Sequence, residues 1–183
     1  MVVLLIIIAI VVVLAVVWIS LYNGIVTKDN RCDNAWQTID AQLQRRNDLV
    51  PNLVETVKGY AKHESQTLEA VTAARTAVSN ARTPEDKMQA SNALTDALAH
   101  LFAVSEAYPD LKANANFQQL QSELSDTENK ISYARMSFND CVLEYNNAIE
   151  TFPGNIVAGS KFKQRQGFEV ASESARQAPK VQF

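Results

Sequence analysis

The residues in this chain whose types could do chemistry are two histidines, two cysteines and a knot of charges beside Pro51. A carboxylate-bridged di-metal centre in a four-helix bundle needs Glu-x-x-His on two helices. Three positions before His63 and His100 stand Tyr60 and Ala97, which excludes that class. His63-Glu64 opens like a zincin motif, but the second histidine would fall where Thr67 stands. There is no Gly-rich phosphate loop and no recognisable Ser, His and Asp arrangement. The expectation is a protein with no cofactor, no metal and no enzymatic activity. Cys32 and Cys141 lie far apart, with no CxxC spacing and no histidine nearby. Both fall on apolar helical stripes, so they are expected as small buried core residues. A disulfide between them would require an oxidising compartment.

The charges are more informative. Arg45, Arg46, Asp48 and Glu55 form a candidate ion-pair or interaction cluster around Pro51. Arg46 falls on the inward stripe of its helix, where an unpaired charge would cost several kcal/mol. It therefore needs a partner, and Asp48, Glu55, Glu106, Asp110 and Glu128 are the available acids. A structural ion-pair network is the first reading; a binding site for a ligand or partner protein is the second. The loop Tyr108-Pro109-Asp110-Leu111 with Lys112 is a further recognition surface in principle, although turn chemistry suffices to explain it.

The elements that must position these residues are helices. From Asp29 on, Cys32, Trp36, Ile39, Leu43, Arg46, Val50, Leu53, Val57 and Tyr60 recur at alternating steps of four and three, and Leu68, Val71 and Val78 carry the stripe on. If residues 29–79 ran unbroken they would reach roughly 75 Å. Pro51 predicts a kink or short break over residues 50–52. Thr83-Pro84-Glu85-Asp86 reads as an N-cap, a proline at the first helical position, and acids at the positive end of a helix dipole. That helix is expected to run to about Ala107, with Tyr108-Pro109-Asp110 ending it. The last helix carries the most regular seam: Phe117, Leu120, Leu124, Thr127, Ile131, Ala134, Phe138, Cys141, Tyr145, Ala148 and Phe152. A 3.5-residue period sustained over about five heptads suits a left-handed supercoiled packing seam. Phe152-Pro153-Gly154 stops it.

Ahead of these helices lies a different composition. From Met1 through Ile19, including Leu5, Ile10 and Leu14, there is no polar side chain. A helix of that length covers roughly 28 Å, close to the hydrocarbon thickness of a bilayer. Its summed insertion preference is on the order of −5 to −8 kcal/mol. The span ends at Leu21, and Trp18 and Tyr22 at its edge carry rings suited to headgroup depth. A cleaved signal peptide needs a basic n-region, a shorter apolar run and a small-residue cleavage site, and no Lys or Arg precedes this run, so a permanent span is expected. Lys28 and Arg31 just after it, partly answered by Asp29 and Asp33, favour N-out, C-in.

The chain thus divides into a transmembrane anchor at 1–21, a short linker at 22–28 with the polar break Asn23-Gly24, a helical region at 29–153 and a tail at 154–183. In the tail, Phe162 and Phe168 alternate with Lys161, Lys163 and Arg165, and a polar stretch runs to Pro179-Lys180-Val181-Gln182-Phe183. The basic and aromatic residues there dock on anionic headgroups, or the aromatics pack back on the bundle, or the tail is mobile. The fold class is all-α: a transmembrane helix followed by an antiparallel up-and-down bundle of three to four long helices. A net charge of −3 with both signs mixed along 183 residues advertises no nucleic-acid face.

Certain of these residues also carry a family likeness. The run Ala35-Trp36-Gln37-Thr38-Ile39-Asp40, followed by Gln44 through Glu64 with Arg45-Arg46-Asn47-Asp48-Leu49-Val50-Pro51-Asn52-Leu53 at its centre, resembles the signature of the bacterial LemA family. Later segments agree: Glu106 through Asn114, then Thr127-Glu128-Asn129, Ala134-Arg135, Phe138-Asn139, Tyr145-Asn146 and Phe152-Pro153. The resemblance implies a membrane anchor followed by a bundle of about four helices, and no established enzymatic activity. Gly159-Ser160-Lys161-Phe162-Lys163-Gln164-Arg165 departs from it by being more basic and less glycine-rich. The expected role is a scaffold in the bacterial cytoplasmic membrane, single-pass, with membrane lipid and further copies of itself as partners. The alternative is an adaptor for another envelope protein, such as a membrane protease or signalling receptor.

Overall fold

The computed structural model describes residues 1–61 and 63–168, and these are helix and connecting turns with no strand among them. Helix α1 is Val2–Lys58, α2 Ser65–Asn80, α3 Pro84–Ser105, α4 Pro109–Lys112, α5 Ala115–Glu150 and α6 Gly154–Ala158. The stretch Pro179 to Phe183 lies outside the described residues.

α1 runs unbroken through both Asn23-Gly24 and Pro51. Asn23 and Gly24 are poor helix formers, but each costs only about 1 kcal/mol or less against Ala. Thr27 Oγ1 donates to the Asn23 carbonyl at 2.8 Å, so this turn stays inside the helix and residues 22–28 are not a linker. Pro51 also lies within α1. Its missing N–H orphans the carbonyl four residues back, and Arg75 on α2 answers it: Nε donates to the Asn47 carbonyl at 3.2 Å. The helix ends instead at Gly59. The Tyr60 and Ala61 amides both donate to the Val57 carbonyl, at 3.0 and 2.9 Å, closing the last turn. Residues 29–79 are therefore two helices, and Tyr60, expected on the buried stripe, is 43% exposed.

The caps follow from local chemistry. Thr83 Oγ1 accepts from the Asp86 amide at 3.1 Å with Pro84 at the first helical position, as the sequence predicts. Asn114 Oδ1 accepts from the Phe117 amide at 3.0 Å and starts α5.

The chain divides into two compact units. One is built from residues 39–133. Its core gathers Val50, Leu53, Val57, Leu68, Val71, Leu94, Leu98, Leu101, Leu111, Phe117 and Leu124, with Leu120 partly buried against them. Ile39, Leu43 and Ile131 are also buried in this stretch. Each fully buried Leu or Phe contributes about 1.5–3 kcal/mol, an upper estimate for burial from an extended chain. The Phe102 and Phe117 rings meet edge to face at 6.2 Å.

The other unit is built from residues 1–38 and 134–167. Here α1 and α5 run antiparallel, because Lys28 Nζ reaches Glu144 at 3.2 Å while the half-buried Trp36 ring meets Phe138 at 6.4 Å. Ile25, Cys32, Phe138, Val142, Tyr145 and Ile149 are buried. The α5 seam has thus moved by one residue, from Cys141 and Ala148, which are half-buried, to Val142 and Ile149. A straight helix of 3.6 residues per turn drifts about 20° per heptad against a strict 3.5 repeat, and in this direction. Phe152 is 79% exposed, because α5 ends at Glu150 and Phe152 lies in the turn beyond it. The segment read as a tail contains α6, which buries Gly154, Val157 and Ala158.

Candidate functional site

Arg46 is the largest side chain among the fully buried residues, at 1% exposure. It sits on the inner face of α1 between Leu43 and Val50, both buried, and its guanidinium is met by two other helices. From α3, Thr95 Oγ1 accepts from Nη1 at 2.8 Å, and the Ser91 carbonyl accepts from Nη2 at 2.8 Å, joined by the Ser91 hydroxyl. From α5, Glu128 Oε2 accepts from Nη1 and completes an ion pair. Thr95 Oγ1 in turn donates to the Ser91 carbonyl at 3.1 Å. Burial lowers the Arg46 pKa below the ordinary guanidinium value, and the charge of Glu128 and its hydrogen bond oppose that shift. Nε of Arg46 has no hydrogen-bond partner among the described residues.

Beside it, Asn47 is 2% exposed and donates from Nδ2 to Ser79 Oγ at 2.9 Å. With the Arg75 bond to the Asn47 carbonyl, this ties α1 to α2 one turn below Pro51. A groove of about 310 Å³ opens next to the arginine, lined by Arg46, Thr95, Phe102, Leu124 and Glu128 among others. A larger groove of about 800 Å³ lies between the end of α1 and α2, over Val54, Ala61, Leu68 and Thr72, with Lys58 and Glu69 on it.

The structure does not bring the four cluster residues together. Arg46 points inward, Arg45 is exposed, Asp48 accepts from Gln44 Nε2 at 2.8 Å, and Glu55 pairs with Lys58 at 3.0 Å. Of the five candidate acids, Glu128 is the one Arg46 meets. Ser91 and Thr95 were missed by the sequence reading. Their signal is a pair of hydroxyls four apart, with Ser91 fully buried on a stripe that otherwise reads Met88, Leu94, Leu98 and Leu101. At the Tyr108 turn, the Tyr108 hydroxyl donates to Glu64 at 2.9 Å, and Lys112 pairs with Glu106 at 2.5 Å. The hydrogen bond to Glu64 raises the Tyr108 pKa, with smaller help from burial and from the Glu64 charge.

A second polar centre, in the other unit, was also missed. Arg165 Nε donates to Asp29 at 2.7 Å and Nη1 to Asp33 at 2.7 Å. Its guanidinium lies 5.7 Å from the Tyr145 ring centre. Asn146 brackets its backbone, accepting from the Arg165 amide at 3.0 Å and donating to its carbonyl at 2.9 Å. Partial burial works against the Arg165 charge, but Asp33 and Asp29 outweigh it and raise its pKa. Phe162 meets Tyr22 at 5.5 Å, so residues 162–165 pack back onto this unit.

Chemically, both centres hold helices and turns together. The Arg46 fork spends its terminal nitrogens on Ser91, Thr95 and Glu128. His63 and His100 are exposed, and no group of three or more His, Cys, Asp or Glu suited to a metal occurs among the described residues. Cys32 and Cys141 carry free thiols, the first fully buried and the second half-buried.

The protein LemA of Metamycoplasma hominis is 29% identical over 146 residues, which is 78% of this chain and 65% of that protein. The profile of the LemA family matches residues 35–183, including Arg46, Ser91, Thr95 and Glu128, and the chain belongs to the LemA family.

Proposed function

We propose that this chain is a non-enzymatic, single-pass scaffold of the bacterial cytoplasmic membrane that self-associates through its long helices, organised as an up-and-down bundle, and so organises or remodels the bilayer. The observation that carries the reading is α1. Its large apolar side chains from Val2 to Ile19 are all exposed, the least at 47%, yet the same unbroken helix is covered by the chain from Ile25 on. Among the described residues it is the one helix long and apolar enough to cross a membrane. A bare apolar surface of that length matches lipid. Self-association is supported by Met136 and Leu143, 52% and 61% exposed at heptad spacing on α5. Anchoring in two dimensions raises the effective concentration of such faces. Cross-linking of the full chain in mild detergent through Leu143→Cys, in a Cys32→Ala, Cys141→Ala background, should give homo-oligomers; a strictly monomeric product rejects the scaffold.

The groove over Val54, Leu68 and Thr72 favours a second reading, an adaptor that receives a helix of another envelope protein such as a membrane protease or signalling receptor. A photo-cross-linker at Thr72 separates the two readings. Adducts with a different protein of discrete mass support the adaptor, and adducts with the chain itself support the scaffold.

A further inference from the structure

We propose that the turn joining α5 to α6 is a second membrane contact, in which Phe152 and Ile156 enter the headgroup and upper acyl region of the bilayer that α1 crosses. The inference rests on the reading of residues 2–19 as a membrane span. Three observations within this one unit lead to it.

The first is level. Because α1 and α5 are antiparallel and Lys28 pairs with Glu144, each step forward on α5 is a step back along α1 toward the apolar run. Advancing from Glu144 to Phe152 carries the chain roughly 12 Å and brings it level with about Ser20. An independent contact agrees. After α6, Phe162 lies against Tyr22 and Lys161 Nζ sits 4.8 Å from the centre of the Tyr22 ring. Residues 152–162 therefore fold around the height at which the polar-free run, Met1 through Ile19, ends.

The second is direction. α6 spends Gly154, Val157 and Ala158 inward, all buried. A Cβ on Gly154 would stand 2.0 Å from the Ala148 carbonyl oxygen, so the turn is closed hard against α5. Phe152 and Ile156 are left outward at 79% and 58% exposure. Two large apolar side chains four residues apart, on a rim level with the span's edge, fit the bilayer surface. Water does not favour them and the described residues offer no cover.

The third is charge. From residue 150 to residue 163 the ionisable groups are Glu150, Lys161 and Lys163. Gln164 hydrogen-bonds Glu150, while Lys161, over the Tyr22 ring, and Lys163 are both exposed. Cations flanking an apolar wedge suit anionic headgroups.

The test uses full-length chains with one tryptophan each, in vesicles of phosphatidylcholine and phosphatidylglycerol brominated near the headgroup end of the acyl chains. With Trp18 and Trp36 replaced by Phe, Phe152→Trp reports the turn and Leu143→Trp reports a point further up α5; Trp18 alone, with Trp36→Phe, reports the span. Brominated lipid should quench Trp18 and Phe152→Trp by about twofold and leave Leu143→Trp nearly unchanged. Quenching of Trp18 without quenching at position 152 overturns the proposal and leaves the span intact. No quenching at either position means that the membrane reading itself fails. If position 152 is shielded from aqueous acrylamide but not quenched by lipid, a second copy of the chain covers this face, and the proposal is again overturned. A measurement with the native tryptophans guards against a misfolded variant. Ile156→Cys in a Cys32→Ala, Cys141→Ala background, carrying an environment-sensitive nitrobenzoxadiazole label, should brighten about twofold and shift to the blue on reconstitution. An unchanged spectrum counts against the contact.

Discussion

At the scale of the residue, the Arg46–Glu128 pair is unequal, and its two deletions should not cost the same. Glu128 retains 41% of its side-chain exposure and turns to water when its partner is lost, whereas Arg46 keeps 2% and cannot. Glu128→Ala should therefore destabilise by about 3 kcal/mol, the cost of leaving a buried charge without its counter-ion. Arg46→Met, which fills the volume with apolar atoms, should cost about 1 kcal/mol or less. Urea unfolding in mild detergent, followed by circular dichroism, ranks the two; the reverse order rejects this account. Cys32 gives a pH dependence. Burial pushes its thiol above the ordinary 9.0, reinforced by Cys141, Asp29 and Asp33 and opposed by Arg165. The unfolded chain then releases this proton first as pH rises, so the contribution is complete below 9.0 and is lost through the folded pKa. The urea midpoint of the native chain should fall more steeply above pH 9.0 than that of Cys32→Ala. The Tyr145 hydroxyl is also raised, first by burial and least by Cys32, so the replacement removes that coupling along with the thiol. Parallel curves would remove the thiol from the argument. The burial of Arg46 was legible from its place on an apolar stripe. The identity of its acid was not, because five carboxylates on different elements satisfy the same need until the helices are packed.

At the scale of the element, proline and drift account for what periodicity alone did not foresee. Pro51 reads as a breaker when local chemistry is considered by itself. It is tolerated because α2 brings Arg75 to the orphaned Asn47 carbonyl, a contact between residues 28 apart that no local rule anticipates. The consequence is a coupling. Arg75→Met should cost about 1–2 kcal/mol by leaving that carbonyl unsatisfied. In a Pro51→Ala background the restored backbone N–H fills the same role, and the cost should shrink by about 1 kcal/mol. A double-mutant cycle in urea measures this; an additive cycle would show that Arg75 acts elsewhere. The cap at Thr83 was legible because an N-cap is a contact three residues long. The displacement of the α5 seam to Val142 and Ile149 follows from the same 3.6-residue geometry that makes a helix, accumulated over five turns and more. The sequence pattern records the average period and not the phase at the far end.

At the scale of the whole molecule, the apolar run was legible from composition because a bilayer asks only for length and hydrophobicity. Orientation depends on a balance of few charges, and here the structure sharpens the expectation. Asp29 and Asp33, which answer Lys28 and Arg31 in the sequence, are engaged by Arg165. Lys28 and Arg31 both lie within 4.0 Å of Glu144. Acids weigh little in the positive-inside bias, so the count that matters is of cations close to the span: Lys28 and Arg31 in sequence, joined in space by Lys161, which sits over Tyr22. On the proposed reading of residues 2–19 as a span, that count predicts the N-terminus outside and the helices in the cytoplasm. Ser122, exposed on α5, is a neutral place for a reporter. With Cys32 and Cys141 replaced by Ala, Ser122→Cys should resist a membrane-impermeant maleimide in intact cells and react fully once the cytoplasmic membrane is permeabilised. Adding Lys28→Glu and Arg31→Glu should move a measurable fraction of chains to the labelled state before permeabilisation, because it removes the flanking cations that set the bias. Complete labelling of the parent Ser122→Cys chain in intact cells would place the helices outside. It would also put Cys32 and Cys141 in a compartment where disulfides form.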